Sequence, residues 1–531
     1  MGQALRRIVE SRPEQEALIC DSLRLTYGQL LNWIETTASE LAQQGVRKGD
    51  RVALFLEPGA GFIIFFFAVA ELGAVVVPIA SASRPAWVAQ AVSRTQPALF
   101  VTQESLWSLV EQVLPAGPQT RILSPNWPEG VSPAVAGKGM PLSMPTVEAS
   151  DLLAILFTSG TTGDPKGAMH THRGLIAPVV ASLRLRELWI RRPTLAQLPK
   201  MGHALLRYRE RLLRAAGRPQ RFLTTVPYHN TTGIEAFLQA LLMGDTLVIQ
   251  PRFQPAEALA LIQREQITVL IAVPTALAVM LHVRDFDQYD LSSLLICGTG
   301  SAPCPPALAR EIQRRFRCAL HIGFGSTELG GGISATSLGD SEDVQAETVG
   351  QPMPGVEIAI ADDAGRHLPP GEVGELLVRA DSLMVGYWGA GDGSADVVDA
   401  DGWYHTGDLA TRDERGYLRI VGRKKDLIIR GGQNISPESI ERHLLTHPGV
   451  GEAAVVGVPG GLGGEDIWAF VVPRSSTTLD PRQIREFCRG ALDACAVPQV
   501  VRIVDSLPRS AGGKVQKFRL RDMALEERGA Q

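Results

Sequence analysis

Short apolar segments and amphipathic segments alternate along most of the chain. The apolar segments span four to six residues, are rich in valine, isoleucine and leucine, and are typical of strands buried on both faces. They lie at Arg51–Leu56, Ala74–Val77, Ala98–Thr102, Leu152–Phe157, Thr246–Ile249, Val269–Val273 and Leu294–Cys297. Helical patterns such as Pro255–Glu265 and Pro305–Phe316 follow several of them. This alternation predicts an α/β fold.

The pattern changes twice towards the C-terminus. Between Val349 and Arg379, short strands joined by glycine- and proline-rich turns predict a small β subdomain. The charged segment Gly422–Arg430 then precedes a smaller unit with its own helices and strands. These elements are predicted at Pro437–Thr446, Glu452–Val458, Ile467–Pro473 and Pro481–Asp493. We expect a large N-terminal domain of packed α/β subdomains over residues 1–424, which includes the β subdomain, and a small α+β domain over residues 425–531.

The longest apolar segment, Gly61–Ala80, approaches the length of a membrane span. It contains Glu71 and is interrupted by Gly73, and both features are rare in a true span. We therefore interpret it as a buried helix over about Gly61–Leu72, followed by the buried strand Ala74–Val77. The N-terminus shows no signal-peptide pattern, so we expect a cytoplasmic protein.

Composition and charge narrow the class of protein. The chain has 52 Lys and Arg against 56 Asp and Glu, a formal net charge of −4, and 45% hydrophobic residues. This is the balance of a globular protein without the basic excess of a nucleic-acid-binding one, so no nucleic-acid partner is expected. The six cysteines form no CxxC pair and no zinc-type cluster, which predicts reduced, structural thiols.

One local exception to the charge balance is the segment Arg184–Arg221. It carries eleven basic residues and two glutamates, a local charge of +9. Apolar residues fall on one face of a predicted helix at Leu198, Met201, Leu205, Tyr208 and Leu212. The segment fits an inserted helix that packs on the core with a solvated basic face. It also fits a contact with an anionic membrane surface or an acidic partner.

A loop with the composition of a phosphate-binding site follows the strand Leu152–Phe157. Small and hydroxylated residues let the backbone approach a ligand and offer N–H and O–H donors to phosphate oxygens, and Lys166 adds a cation. The loop comprises Thr158, Ser159, Gly160, Thr161, Thr162, Gly163, Asp164, Pro165, Lys166 and Gly167. It lacks the GxxxxGK[ST] spacing of a Walker loop. By itself it predicts phosphate binding and no particular reaction.

Further segments identify the chain as similar to a known superfamily. In order, they are VPYHNTTG (Val226–Gly233), GTGSAP (Gly298–Pro303), GFGSTE (Gly323–Glu328), WYHTGDL (Trp403–Leu409), GRKKDLIIRGG (Gly422–Gly432) and PRSAGGKVQK (Pro508–Lys517). Together with the loop they resemble the motifs of the adenylate-forming enzymes. That superfamily includes acyl-CoA synthetases, luciferases and nonribosomal-peptide adenylation domains. The resemblance covers nearly the whole chain and implies a mobile C-terminal domain.

The resemblance implies a set of residues that contact ATP or AMP. They are Thr158, Ser159, Gly160, Thr161, Thr162, Gly163, Lys166, Gly300, Ser301, Ala302, Pro303, Gly323, Phe324, Gly325, Thr327, Asp408, Arg423 and Lys514. Asp408, predicted in a turn, suits the two ribose hydroxyls because a carboxylate accepts hydrogen bonds from both. Glu328 offers the oxygen ligand that Mg²⁺ prefers, with the metal bridging ATP phosphates.

The resemblance also implies catalytic and hinge residues. Lys514, His229, Thr327 and Glu328 would form the catalytic set, in which Lys514 stabilises the charge that builds on the α-phosphate. Lys425 matches the hinge about which the small domain rotates between half-reactions, although aspartate is often found at that position. Gly431 and Gly432 would then line the tunnel for the pantetheine arm of coenzyme A.

The acid substrate is the least determined feature. The resemblance implies a pocket lined by His229, Val273, Thr299, Gly300, Gly325, Gly330, Gly331 and Ile333. These segments hold no carboxylate for the ammonium group of an amino acid, and the glycines leave space. We therefore expect a bulky or long apolar acid: a medium- or long-chain fatty acid, an aryl acid or a polycyclic acid.

The sequence thus predicts an ATP-dependent ligase that forms an acyl-adenylate and transfers the acyl group to coenzyme A. Three alternatives stay open: an adenylating enzyme that loads a separate carrier protein, a luciferase-like monooxygenase, and a catalytically silent relative that binds nucleotide or acyl groups. The expected cosubstrates are ATP with Mg²⁺ and coenzyme A. A homodimer is an additional expectation.

Overall fold

A computed structural model describes residues 1–114, 117–123, 127–128, 145–158, 166–190, 197–389, 398–430, 433–460, 464–474, 477–509 and 514–529. Seven of the sequence-predicted site residues lie outside these ranges: Ser159, Gly160, Thr161, Thr162, Gly163, Gly431 and Gly432. The described residues group into two compact units. The first lies within 1–158, 166–357 and 379–398, and the second within 358–378 and 399–529.

The helices of the described residues follow the predicted apolar periodicity. They are α1 (Gly2–Ser11), α2 (Tyr27–Gln43), α3 (Ala60–Glu71), α4 (Pro85–Thr95), α5 (Glu104–Val110), α6 (His172–Ile190), α7 (Leu198–Ala215), α8 (Thr231–Leu242), α9 (Pro255–Arg264), α10 (Pro274–Leu281), α11 (Pro306–Phe316), α12 (Glu342–Glu347), α13 (Pro437–Leu444), α14 (Pro481–Arg489) and α15 (Lys517–Gly529). Several begin with proline at the first helical turn, where its missing N–H costs nothing.

The strands confirm the alternation seen in the sequence. They are β1 (Glu16–Cys20), β2 (Leu23–Thr26), β3 (Arg51–Phe55), β4 (Val75–Ile79), β5 (Leu99–Gln103), β6 (Gln119–Leu123), β7 (Leu152–Phe157), β8 (Gly167–Thr171), β9 (Arg221–Thr224), β10 (Thr246–Ile249), β11 (Val269–Ile271), β12 (Ile296–Thr299), β13 (Ala319–Ser326), β14 (Gly331–Ala335), β15 (Gln351–Pro352), β16 (Val356–Ala361), β17 (Gly374–Ala380), β18 (Tyr404–Arg412), β19 (Leu418–Arg423), β20 (Ile428–Arg430), β21 (Gln433–Ile435), β22 (Val450–Pro459), β23 (Glu465–Pro473) and β24 (Val500–Ile503).

Two sheets organise the first unit. One has six strands in the order β6-β5-β3-β4-β7-β8, and the other nine in the order β15-β14-β13-β12-β11-β9-β10-β1-β2. Their central strands are parallel and buried, and antiparallel strands lie at the edges. This mixed α/β architecture is the predicted fold class. The carboxyl ends of β7, β9, β12 and β13 lead into the segments that carry the candidate site residues.

Helix α3 confirms the interpretation of the long apolar segment. All but one of its residues are buried, including a run of three phenylalanines at Phe65–Phe67. The rings of Phe62 and Phe66 pack against Phe237 of α8, with centroids 6.3 and 5.0 Å apart. Among the described residues, no helix is both long and apolar enough to cross a membrane. The apolar run therefore contributes to the core of the first unit.

The second unit contains three smaller sheets. Strands β16–β19 form a four-stranded sheet, β20 and β21 form a pair, and β22–β24 form a three-stranded sheet. Helices α13 and α14 cover a core of aliphatic residues around β22 and β23. The predicted C-terminal elements are therefore present, each within a few residues of its expected bounds. The domain boundary at residues 424 and 425 stays a prediction.

The basic segment folds as the C-terminal part of α6 and as helix α7, but the predicted apolar face of α7 is partly wrong. Tyr208 is buried, whereas Leu198 and Leu205 are exposed, and small residues replace them on the inner face. The buried residues of α7 are Ala204, Tyr208 and Ala215. Periodicity alone does not distinguish an inner leucine stripe from an outer one, because both recur at helical spacing.

Candidate active site

The first part of the candidate site lies beside the phosphate-binding loop. Lys166 follows the undescribed part of that loop, and its carbonyl oxygen accepts a hydrogen bond from the backbone N–H of Thr158 at 2.9 Å. Nζ of Lys166 lies 5.1 Å from the ring centroid of Tyr387, a cation–π geometry. The phenol of Tyr387 donates a hydrogen bond to Oε1 of Glu328 at 3.2 Å. Tyr387 thus connects the predicted phosphate-binding cation with the predicted metal ligand.

Sequence reasoning did not identify Tyr387. The segment around it adds to the edge of β8, since Met169 N–H donates to Gly386 at 2.9 Å and Trp388 N–H donates to Gly167 at 2.7 Å. Burial and the neighbouring Glu328 carboxylate both raise the pKa of the Tyr387 phenol. The phenol therefore stays protonated and remains a hydrogen-bond donor. Tyr387 reaches the site because its segment pairs with β8, and no local sequence pattern predicts that pairing.

Backbone contacts fix the position of Thr327 and Glu328. His170 on β8 is fully buried, and its Nε2 lies 2.8 Å from the carbonyl oxygen of Thr327. Because a carbonyl oxygen only accepts hydrogen bonds, Nε2 carries the proton. Burial lowers the pKa of His170 to about 4, so the ring is neutral near pH 7. The carbonyl oxygen of Glu328 accepts a hydrogen bond from Met384 N–H at 2.9 Å. Glu328 is therefore held at its backbone as well as by Tyr387.

Glu328 suits a magnesium ion that is shared with ATP phosphates. No group of three or more histidine, cysteine or carboxylate side chains that could hold a metal occurs among the residues the structure describes. Mg²⁺ does not need such a group, because it commonly uses one or two carboxylates together with substrate phosphates and water. One carboxylate beside the phosphate-binding lysine matches that pattern.

The segment predicted to contact adenine lies at the end of β12. Gly300, Ala302 and Pro303 flank Ser301, which has a φ of +64°, a left-handed conformation that is uncommon outside glycine. The hydroxyl groups of Ser301 and Thr232 are 2.6 Å apart. This contact joins the segment to the start of α8, within the motif that contains His229.

Thr299 and His229 both lie in the first unit, at the segments predicted for the acyl pocket. Thr299 is buried, and its hydroxyl has no hydrogen-bond partner among the described residues. Burial lowers the pKa of His229 to about 4, so it is neutral near pH 7 and suits contact with an uncharged group. Unpaired buried polar groups of this kind often mark a ligand site.

Glycines allow a close approach of β13 and β14 at the predicted acyl pocket. Gly323, Phe324 and Gly325 lie on β13, and a Cβ on Gly325 would collide with the carbonyl oxygen of Gly331. Gly330 and Gly331 have φ values of +72° and +142°, which side chains rarely adopt. Ile333 is fully buried on β14, and Val273 precedes α10.

A carboxylate that sequence reasoning did not place at this pocket lies next to these glycines. Oε2 of Glu235, on α8, accepts a hydrogen bond from Gly332 N–H at 2.9 Å. Glu235 lies two residues beyond the motif Val226–Gly233 and therefore outside the segments that were expected to line the pocket. A single glutamate on an otherwise apolar helix was the signal available in the sequence.

A cavity of about 790 Å³ lies in the first unit, and none of the described residues that line it is one predicted for the acyl pocket. Its lining includes Gly332 of β14 and Pro178 of α6. A volume of this size accommodates a ligand of several rings or a medium-length chain.

The second unit contains a cluster of four charged residues. Asp408 and Arg423 are cross-strand partners on β18 and β19, with Arg423 Nε 2.8 Å from Asp408 Oδ1. The expectation that Asp408 lies in a turn is wrong: it lies within β18, directly after Gly407, whose φ is +68°. Burial raises the pKa of Asp408, while Arg423, Lys514 and Lys425 all act to lower it. Lys514 and Lys425 are therefore close enough to Asp408 for an electrostatic interaction.

Comparisons with known proteins identify the family of the chain. Residues 5–388 match the model of the AMP-binding enzyme family, and residues 439–514 match that of the AMP-binding enzyme C-terminal domain. The chain is 32% identical to the 3-[(3aS,4S,7aS)-7a-methyl-1,5-dioxo-octahydro-1H-inden-4-yl]propanoyl:CoA ligase of Mycobacterium tuberculosis, over 98% of both chains. It is 30% identical to the mitochondrial medium-chain acyl-CoA ligase ACSF2 of Homo sapiens, over 98% of this chain and 87% of that protein.

Solved structures agree with the fold. The structure of ATP-bound MatB from Rhodopseudomonas palustris matches with a TM-score of 0.83 and 28% identity, and the match covers 98% of each chain. The chain therefore belongs to the AMP-binding enzyme family, within the adenylate-forming superfamily. Within that family it is an enzyme of the acyl-CoA synthetase type. Family membership implies the use of ATP, coenzyme A and a carboxylic acid.

Proposed function

We propose that the protein adenylates a mostly apolar carboxylic acid with MgATP and transfers the acyl group to coenzyme A. The observation that carries this proposal is the arrangement of Lys166, Tyr387 and Glu328. It combines a cation for phosphate oxygens, a carboxylate for the metal and a hydrogen bond that orients the carboxylate. Such preorganised charges are the main requirement of phosphoryl chemistry, which needs no protein nucleophile.

In the first half-reaction, an oxygen of the substrate carboxylate attacks the α-phosphorus of ATP, and pyrophosphate leaves. We assign Lys166 to the phosphate oxygens, Asp408 and Arg423 to the ribose, and Lys514 to the charge on the α-phosphate. Mg²⁺, held by Glu328, would neutralise phosphate charge. In the second half-reaction, the thiolate of coenzyme A attacks the adenylate carbonyl and AMP leaves. We assign Lys425 to the hinge and Gly431 and Gly432 to the pantetheine tunnel.

We propose the chemical class of the acid substrate by analogy with the relatives of the chain and from the cavity beside β14. The relatives named above are ligases for a medium-chain acyl group and for a polycyclic propanoate. A cavity of about 790 Å³ has Gly332 of β14 in its lining. We therefore propose a medium-chain or polycyclic acid and place its body along β14.

The experiment that tests this function is a panel of fatty, aryl and polycyclic acids, read by AMP release with and without coenzyme A. We expect AMP release that depends on both the acid and coenzyme A. Pyrophosphate exchange into ATP without any effect of coenzyme A would instead favour the enzyme that loads a carrier protein. Absence of pyrophosphate exchange with every acid would favour the catalytically silent relative. Light emission that depends on both an acid and oxygen would favour the luciferase-like monooxygenase.

We further propose that α7 contacts an anionic membrane surface. Leu206 and Leu213 are 89% and 65% exposed on this helix, beside the exposed Arg209. Lys200, another basic residue of the segment, instead forms an ion pair with Asp340 of the same unit at 2.9 Å. Docking of the segment on the core and contact with a membrane are therefore compatible.

Liposome co-sedimentation tests the membrane contact. We expect binding to vesicles that contain anionic lipid, weaker binding at high salt, and its loss in the double variant Leu206→Glu, Leu213→Glu. The matched control is Val279→Glu, an exposed apolar residue on α10. Equal binding to neutral vesicles, or no effect of the double variant, would contradict the contact. The cytoplasmic location and the homodimer stay proposals from the sequence, which fractionation and light scattering would check.

A further inference from the structure

Glu235 holds a carboxyl group against the strand that lines the proposed acid pocket. Its Oε2 accepts a hydrogen bond from Gly332 N–H at 2.9 Å, and its Oε1 accepts one from Gln239 Nε2 at 2.9 Å. Nε2 of Gln239 also lies within hydrogen-bond distance of the Ser182 hydroxyl on α6, at 3.2 Å. Two elements, α6 and β14, therefore fix the position of this carboxyl group.

No basic side chain forms an ion pair with Glu235 among the residues the structure describes. Its recorded contacts are with Gln239 on its own helix and with Gly331 and Gly332 on β14, and none of these residues is charged. Burial raises the pKa of Glu235 to about 7. A deep carboxyl group without a counter-ion is costly to the fold, so a role in ligand recognition would explain its presence.

The glycines of β14 leave this carboxyl group uncovered. A Cβ on Gly331 would lie 2.8 Å from Oε2 of Glu235 and 3.2 Å from Cγ of Pro178. Any side chain at that position would therefore crowd the carboxyl group. Part of the Glu235 side chain remains accessible despite its depth, and the neighbouring Gly332 and Pro178 line the cavity of about 790 Å³. An acid that lies in this cavity along Gly332 would therefore come close to the Glu235 carboxyl group.

We propose that Glu235 determines specificity by hydrogen bonding to a hydroxyl group on the body of the acid. A hydroxyl donates to an ionised carboxylate and accepts from a protonated carboxyl, so it pairs with Glu235 in either form. An alkyl group in the same place would leave the carboxyl group without its partner. The preferred substrate is therefore a mostly apolar acid with one hydroxyl group. This inference rests on the proposed function and refines its substrate class.

Matched pairs of acids test this inference. Each pair consists of a hydroxylated acid and its deoxy counterpart, in medium-chain, aryl and polycyclic series. The full-length protein and its variants Glu235→Gln, Glu235→Leu and Glu257→Gln are compared by kcat/KM for AMP release dependent on coenzyme A. Glu257 is an exposed glutamate on α9 and serves as the matched control.

We expect the unmodified protein to prefer the hydroxylated member of at least one pair about tenfold to a hundredfold. Glu235→Leu should abolish or reverse that preference through a gain for the deoxy acid, and Glu235→Gln should keep part of it. An equal loss of activity towards both members would show that Glu235 only braces Gly332. An unchanged preference would also overturn the inference.

A binding measurement keeps this test separate from the test of the reaction. The same pairs of acids are assayed by the shift in melting temperature that each produces in the presence of ATP. Inactivity with every acid would contradict the proposed reaction. A larger thermal shift from hydroxylated acids that Glu235→Leu removes would still support the role of Glu235, whereas equal shifts within every pair would refute it.

Discussion

The phenol of Tyr387 donates a hydrogen bond to Oε1 of Glu328 at 3.2 Å, while the face of its ring lies 5.1 Å from Nζ of Lys166. One side chain therefore contacts both the proposed metal ligand and the proposed phosphate-binding cation. Because Lys166 and Glu328 have opposite charges, a direct ion pair would satisfy both and leave neither for ATP. The intervening ring orients each group and leaves its charge available to the ligand.

Replacing Tyr387 by phenylalanine removes the hydrogen bond to Glu328 but keeps the ring beside Lys166. A hydrogen bond to a charged group contributes about 1.5–3 kcal/mol, so we expect a loss of about tenfold or more in pyrophosphate exchange. The Mg²⁺ concentration for half-maximal activity should rise, because the carboxylate is less well oriented. The measurement is exchange as a function of Mg²⁺ at saturating ATP.

The control for this variant is Tyr289→Phe, at a half-buried tyrosine that packs in a different cluster of the first unit. It should leave the Mg²⁺ dependence unchanged. If Tyr387→Phe lowered exchange with the same Mg²⁺ dependence as the unmodified protein, Tyr387 would act on something other than Glu328.

Most of the fold and only part of the site could be predicted from the sequence. Leu152–Phe157 and Thr246–Ile249 were placed to the residue, because buried strands between polar turns have a strong local pattern. Motifs named Glu328, Asp408 and Lys514 as candidate site residues, and their roles stay predictions. Tyr387 and Glu235 were missed because their partners are distant in sequence, and such pairing arises only when the chain folds. The inner face of α7 was partly misassigned because leucines recur on both of its faces.

Replacing Lys514 by alanine should separate the two half-reactions. Lys514 lies near Asp408 and Arg423, the pair assigned to the ribose, and its proposed role is to stabilise the charge on the α-phosphate. We expect Lys514→Ala to lower adenylation by at least about a hundredfold, as removal of transition-state charge stabilisation does elsewhere. The transfer of a supplied acyl-adenylate to coenzyme A should remain. The exposed Arg519→Ala serves as control, and an equal loss in both half-reactions would contradict this role.

Replacing Asp408 by asparagine tests the ribose assignment. The amide cannot accept hydrogen bonds at both of its heteroatoms, and it loses the attraction of Arg423, whose Nε lies 2.8 Å from Oδ1. We expect the KM for ATP to rise about tenfold and the preference for ATP over 2′-deoxyATP to shrink. Asp505→Asn, at an exposed position of the second unit, is the control. If the variant used ATP and 2′-deoxyATP less well by the same factor, the preference between them would be unchanged. That result would argue against ribose binding by Asp408.

Replacing Glu235 by glutamine should change how stability depends on pH. Burial raises the pKa of Glu235 from its ordinary value of about 4.5 to about 7 in the folded protein. The folded state therefore binds the proton more tightly than the unfolded chain, and stability falls as pH rises from about 4.5 to about 7, then levels off. At pH 8 the ionised Glu235 carboxylate lowers the free energy of unfolding by at most about 3 kcal/mol. Glutamine keeps a hydrogen-bond acceptor for Gly332 N–H and carries no charge.

The measurement is the melting temperature of the unmodified protein and of Glu235→Gln at several values from about pH 5 to about pH 8. We expect similar melting temperatures at the acidic end and an advantage of a few degrees for the variant at the alkaline end. His229 and Asp245, whose pKa values also shift to about 4 and about 6, are present in both proteins and cancel in the difference. The same measurements on Glu257→Gln, at a glutamate of α9, serve as the control. A difference that stays constant with pH would mean that Glu235 does not titrate in this range, because only a group that changes its protonation state makes stability depend on pH.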